Sequence, residues 1–189
     1  MILGLRELID IAIMTVAVGY IFMGIFKFSQ DRYSTGFDWK AFKFACLVTA
    51  PAIILHELGH KFIASAYGFE ATFHAAYTWL GIGIVLRALQ TGFIFFVPAY
   101  VNIGCATQEC AIPPLQMSAI AAAGPFVNLA IFFICWIVLK RKGKDMKKHT
   151  RVAIYVTKQI NLFLFVFNML PIPMFDGFKV YSGLWKAFF

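Results

Sequence analysis

Charge is scarce in this chain. Only 14% of its 189 residues are charged and just nine are acidic, where soluble domains carry about 25% charged residues. So few ionic groups cannot coat a globule. With 61% hydrophobic residues and 22 Phe, a compact body in water would expose large apolar patches. A soluble protein is excluded on these grounds, and a lipid bilayer is the natural solvent. Cysteine is also scarce. Cys46, Cys105, Cys110 and Cys135 are scattered, two of them inside apolar stretches, which excludes a disulfide scaffold; only Cys105 and Cys110 stand close enough in sequence to pair. No A-x-A cleavage pattern follows the first apolar run, so that run is expected to be an uncleaved helix. There is no internal repeat, no low-complexity tract and no room for a second soluble domain. The net charge of +8 comes from cations grouped between apolar segments, as membrane-flanking charges are, and no nucleic-acid partner is expected.

What is present are long apolar runs. A spanning helix needs about 20 mainly apolar residues, and Leu8 to Phe28 is the first candidate. A polar connector, SQDRYSTGFDWK, leads to a second helix from about Lys40 to Tyr67, stopped by Gly68. Tyr77 to Val97 is apolar enough to span but is interrupted by Gly81, Gly83, Arg87 and the Thr91-Gly92 pair, and FIFFVPAYVNI has the aromatic and β-branched content of a strand. Ser118 to Leu139 predicts another helix, followed by the charge run KRKGKDMKKHTR. Val152 to Leu170 predicts a last span, broken by Pro171 and Pro173 in PIPMFDG, and FKVYSGLWKAFF predicts an amphipathic tail.

The second helix carries His56-Glu57-Leu58-Gly59-His60. On a helix the two imidazoles of HExxH lie one turn apart on one face and can grip one Zn²⁺, while Glu57 is placed to take a proton from water. Two histidines one turn apart also occur as hydrogen-bonded core residues. The membrane setting argues for function, because a charged residue there costs about 2.5–3.5 kcal/mol on insertion scales.

A catalytic zinc usually has three protein ligands. Most of the other carboxylates sit at segment ends or in polar loops, whereas Asp176 stands at an apolar segment, where Pro171, Pro173 and Gly177 are expected to present it from non-helical backbone lining a cavity. His74, at a polar-to-apolar boundary, is the other candidate. Each has a plainer reading, as a turn aspartate before glycine and as an interfacial histidine.

Taken together, HELGH at 56–60, AAAGPFVN at 121–128 and NMLPIPMFDG at 168–177 resemble the three motifs of the site-2 protease family of intramembrane zinc metalloproteases, over about Ala41 to Val180. The resemblance puts the third zinc ligand on Asp176 beside His56 and His60. It implies that Asn168 binds or polarises the scissile carbonyl, and that Gly124, Pro125 and Asn128 shape the middle core helix, although small residues there also serve close helix packing. It further implies substrates that are membrane proteins with a transmembrane helix; two imidazoles and one carboxylate match one catalytic zinc per chain, and the sequence departs from many family members in showing no recognisable PDZ or nucleotide-sensing domain, a small form of the family.

The ligands must meet at one depth. His56 lies 13 residues beyond Lys43 and Asn168 lies 16 beyond Val152, about 20 and 24 Å along their helices, so both helices should enter from the same face. An even number of crossings must then separate Tyr67 from Ser118, and a single crossing at 77–97 ranks second. With that topology twelve cations fall on one face and five on the other. The positive-inside rule puts the richer face in the cytoplasm and the site toward the outside, and the resemblance implies the reverse.

The sequence thus predicts an all-α polytopic protein of about four to six transmembrane helices, with a short membrane-associated hairpin or re-entrant segment around 77–103. The whole of 1–189 is expected to form one integral, multi-pass metalloprotease domain in the cell membrane, with its core at about 41–180, hydrolysing peptide bonds in or near transmembrane segments. A metal transporter or an inactive helix-binding scaffold using the same His/His/Asp site is the alternative. Catalysis requires Glu57, and a three-ligand transport site does not.

Overall fold

Six α-helices and two short β-strands make up the regular structure in a computed structural model that describes residues 3–26, 37–91, 98–104 and 112–189. In chain order they are α1 (Leu5–Phe22), α2 (Trp39–Ala66), β1 (Glu70–Ala75), α3 (Tyr77–Ala88), β2 (Ala99–Gly104), α4 (Pro114–Lys142), α5 (Lys148–Asn168) and α6 (Asp176–Phe188). The strands pair in a two-stranded sheet. The all-α expectation therefore gives way to a mostly helical fold with one small sheet. Part of the FIFFVPAYVNI run is strand, as β2, and its first residues, with most of the connector before α2, lie outside the described residues.

The starts of α1 and α2 and the end of α2 have local causes. The Glu7 carboxylate in the first turn of α1 accepts a hydrogen bond from the Gly4 N–H at 2.7 Å, covering an otherwise orphan donor. Asp38 Oδ1 accepts from the N–H groups of Lys40 and Ala41 at 3.0 and 2.9 Å and so caps α2. Gly68, at φ 84°, takes the left-handed conformation that ends it. The helix α3 has 12 residues, about 18 Å, which is too short for a hydrocarbon core of about 30 Å. Among the described residues of 77–91, no helix is long enough to carry a single crossing.

Among the described residues, two helices are long and apolar enough to cross a membrane, α2 with 28 residues and α4 with 29. The α1 helix is apolar too, but Arg6, Glu7 and Asp10 crowd its first two turns. Large apolar side chains stand exposed along the two long helices, among them Leu47 and Phe62 on α2 and Phe133, Ile134 and Trp136 on α4. In water such faces would associate; in lipid they are solvated.

The chain divides into two compact units. Met1–Ile53 with His74–Tyr100 forms the first and Ile54–Phe73 with Val101–Phe189 the second, so α2 contributes to both. In the first, α1 packs on α3 over a core that includes Met14, Val18, Ile21 and Val48. Small residues, Ala41 and Ala45, are fully buried on α2, as close helix approach requires. In the second, α4 packs against α5 and α6. The Ser118 hydroxyl on α4 donates to the Val180 carbonyl of α6 at 3.0 Å.

Candidate metal centre

The second half of α2 carries His56, Glu57 and His60, all at most 9% exposed. The helix brings both imidazoles to one face, as the spacing predicts. Their ring centroids are 4.8 Å apart with planes at 84°. Asp176 arrives from the far end of the sequence. Pro171 and Pro173 break the chain after α5, and it resumes as α6 at Asp176 itself. The aspartate is thus the first residue of a helix, not a residue of non-helical backbone as the sequence reading held. The difference follows from Gly177. A Cβ there would lie 2.5 Å from the Met169 carbonyl and 2.6 Å from the Leu170 carbonyl oxygen; glycine serves close backbone approach, and α6 begins immediately against the end of α5.

Three donor atoms converge. His56 Nε2 and His60 Nε2 lie 3.1 and 3.2 Å from Asp176 Oδ2, and 3.2 Å from each other. They form the one cluster of metal-ligating side chains among the described residues. With zinc–ligand bonds of about 2.0–2.2 Å, the edges of a tetrahedron are roughly 3.3–3.6 Å, so the triangle is slightly smaller than, and close to, the size a zinc ion requires. Gly124 of α4 leaves the space for it. A Cβ at that position would stand 2.6 Å from His60 Cε1 and 2.8 Å from His56 Nε2, inside the donor triangle's own surroundings.

The hydrogen bonds behind the histidines set which nitrogen faces the cluster. His60 Nδ1–H donates to the Ile120 carbonyl at 2.7 Å. His56 Nδ1–H donates to Asn128 Oδ1 at 2.6 Å, Asn128 Nδ2 donates to Asn161 Oδ1 at 2.8 Å, and Asn161 Nδ2 donates to the Thr157 carbonyl at 2.8 Å. A main-chain carbonyl can only accept, so this chain of bonds has one direction and fixes both amide orientations. Both asparagines are fully buried. With each Nδ1 protonated, each neutral imidazole turns an Nε2 lone pair toward the carboxylate. Lone pairs facing one another call for a positive partner, and outer hydrogen bonds of this kind orient metal-binding histidines.

Glu57 makes no hydrogen bond to a described residue, which leaves its carboxylate able to accept a proton. Asn168 closes α5 and donates from Nδ2 to the Leu164 carbonyl of its own helix at 2.9 Å. His74 is engaged with Asp10, Nδ1 to Oδ2 at 3.7 Å, and stacks on Tyr100 with centroids 5.6 Å apart. Sequence reasoning missed Asn161, and it placed Asn128 as a helix-shaping residue instead of the acceptor behind His56. A signal for Asn161 existed: an uncharged amide within the apolar run of α5 requires a partner.

Residues 44–189 match the profile of Peptidase family M50. Three relatives each bear the printed name putative zinc metalloprotease. One from Methanocaldococcus jannaschii is 34% identical over 97% of this chain and 86% of its own length. One from Bacillus subtilis is 27% identical over 69% of this chain and 64% of its own. One from Synechocystis is 25% identical over 82% of this chain, which spans only 35% of that longer relative. No solved structure matches the chain.

Proposed function

The chain belongs to Peptidase family M50, the site-2 protease family, and from that membership we propose that it is an intramembrane zinc metalloprotease cleaving peptide bonds in or near transmembrane segments of membrane proteins. The observation that carries the reading is the convergence of His56, His60 and Asp176 on one point, at a place that Gly124 keeps clear. These three side chains would hold one zinc per chain. When bound, zinc supplies Lewis acidity toward a peptide carbonyl and a water pKa lowered to about 7. Glu57 is the proton carrier: its carboxylate takes a proton from the attacking water and delivers it to the leaving amine. Asn168 uses one Nδ2 hydrogen on Leu164 and keeps the second to donate to the substrate carbonyl. Asn128, Asn161 and the Ile120 carbonyl hold the imidazoles in register.

The protein is read as multi-pass in the cell membrane, its 189 residues one metalloprotease domain with four to six crossings, of which α2 and α4 are two. A substrate helix hides its carbonyls in its own hydrogen bonds and must unwind before attack. Among the described residues the sheet has only two strands, and an outer edge of such a sheet is where an extended segment can add. The test compares cells carrying the parent and Glu57→Gln for a membrane protein cleaved only by the parent, alongside the zinc content of both purified proteins. The variant should keep its zinc and lose cleavage by about 10²–10⁴-fold. Equal cleavage by both, or a parent that binds no zinc, would overturn the reading.

A further inference from the structure

The strongest concentration of unpaired charge lies away from the donor cluster, where α4 ends and α5 begins. Residues 139–158 hold eight Lys and Arg against one acid, Asp145. The structure folds part of this run around a cavity of about 560 Å³, whose lining includes Lys140, Lys144, Arg151 and Lys158 with the aromatic rings of Trp136 and Tyr155. None of the four cations pairs with a described carboxylate. Two of them rest on rings instead. Lys140 Nζ stands 5.1 Å from the Trp136 centroid, and Lys158 Nζ stands 4.9 Å from that of Tyr155.

We propose that this cavity binds the phosphate headgroup of an anionic phospholipid from the surrounding membrane. Three observations point to a lipid over a soluble anion. The cavity sits at the charged end of α4, one of the two helices able to cross a bilayer, which is the depth of headgroups. Its walls are apolar as well as cationic, with Leu139 and Val152 beside the rings, and exposed Phe133, Ile134 and Ile137 continue the apolar surface along α4, where acyl chains would run. The cations are also graded in depth: Arg151 is exposed, and Lys158, seven residues further along α5, is partly buried, about 10 Å from it along the helix. A lysine held that deep without a carboxylate requires an anion or a path to the headgroups. Arg151 adds the planar fork that matches phosphate oxygens. It lies in the first turn of α5, whose Lys147 cap makes no side-chain hydrogen bond, so the open N–H groups there favour an anion too.

The experiment uses the full chain in nanodiscs of phosphatidylglycerol and phosphatidylcholine, with retained lipid counted by native mass spectrometry. The parent should retain one phosphatidylglycerol in preference to phosphatidylcholine. Lys144→Gln with Arg151→Gln, both exposed positions where folding is spared, should weaken retention by roughly 25-fold, about fivefold per cation removed. Arg141→Gln with Lys142→Gln removes the same net charge beside the cavity, but neither side chain lines it, and with screened surface charge counting for little retention should stay within about twofold of the parent. Lys158→Gln tests the deep cation alone and should cost about fivefold. Equal retention of the two lipids would overturn the proposal, as would equal weakening by the two double variants, which would mean diffuse surface attraction. So would protection of the purified chain against heat by inorganic phosphate as strong as that by phosphatidylglycerol, which would mean a soluble-anion site. The readout is lipid retention, so the result stands apart from whether the chain cleaves peptides.

Discussion

Asp176 and Asn161 divide the work of the site in a way that substitution can separate. Asp176 supplies a donor atom and the negative charge; its Oδ2 is the point that both imidazoles share. Asp176→Asn keeps the shape and gives up the charge, so zinc content and cleavage should both fall while thermal unfolding of the metal-free protein changes little. Normal zinc in that variant would remove the carboxylate from the ligand set. Asn161 is two hydrogen bonds from His56, through Asn128, and touches no donor atom of the cluster directly. Asn161→Leu leaves all three donors in place but removes the Oδ1 that accepts from Asn128 Nδ2, which loosens the amide behind His56. Zinc affinity should drop by about 10–100-fold, the usual effect of removing an outer partner of a ligating histidine. A competitive chelator titration reads that directly, and an unchanged affinity would show that the Asn128 orientation is held by other contacts.

At the scale of elements, the decisive joint is between α5 and α6. Gly177 admits the Met169 and Leu170 carbonyls to within 2.5–2.6 Å of where a Cβ would stand, and both neighbours are backbone that cannot step aside. Gly177→Ala should therefore displace the start of α6, and Asp176 with it, at an overpacking cost of about 1–3 kcal/mol. The measured outcome should be zinc loss comparable to Asp176→Asn although every ligand is present; zinc retained at the parent level would mean that the joint is softer than its geometry implies. This joint also marks the boundary of what local sequence can convey. The helix α2 was legible to within a residue at each end because a polar start, an apolar run and Gly68 are all local signals. The break at Pro171 and Pro173 was legible for the same reason. That Asp176 opens a helix was not, because Gly177 reads as a turn residue until the carbonyls it meets are known. Asp10 is the parallel case in the first unit. Its sequence position is near a segment end, yet it is 2% exposed and accepts from the Ala75 N–H at 3.3 Å and from the Tyr77 hydroxyl. Those partners lie more than sixty residues away in sequence, beyond the reach of any periodicity.

For the molecule as a whole, the cluster joins segments that are far apart in the chain: two donors come from α2 and the third from α6, 120 residues beyond His56. A ligand that binds only the folded arrangement stabilises it by mass action, about 4 kcal/mol at a thousandfold excess over the dissociation constant. Zinc should accordingly raise the midpoint of thermal unfolding in detergent by on the order of 10 °C, and a chelator should reverse the gain. Because all three donors must be deprotonated to hold the metal, the zinc-dependent part should persist at neutral pH and vanish on acidification, while the metal-free midpoint changes less over the same range. Hydrogen exchange should place the added protection in α6 and the second half of α2, the elements that carry the donors. A uniform gain along the chain, or one that survives in Asp176→Asn, would mean that zinc binds at another place and that the convergence of these three side chains is not what ties the last helix to the HExxH helix.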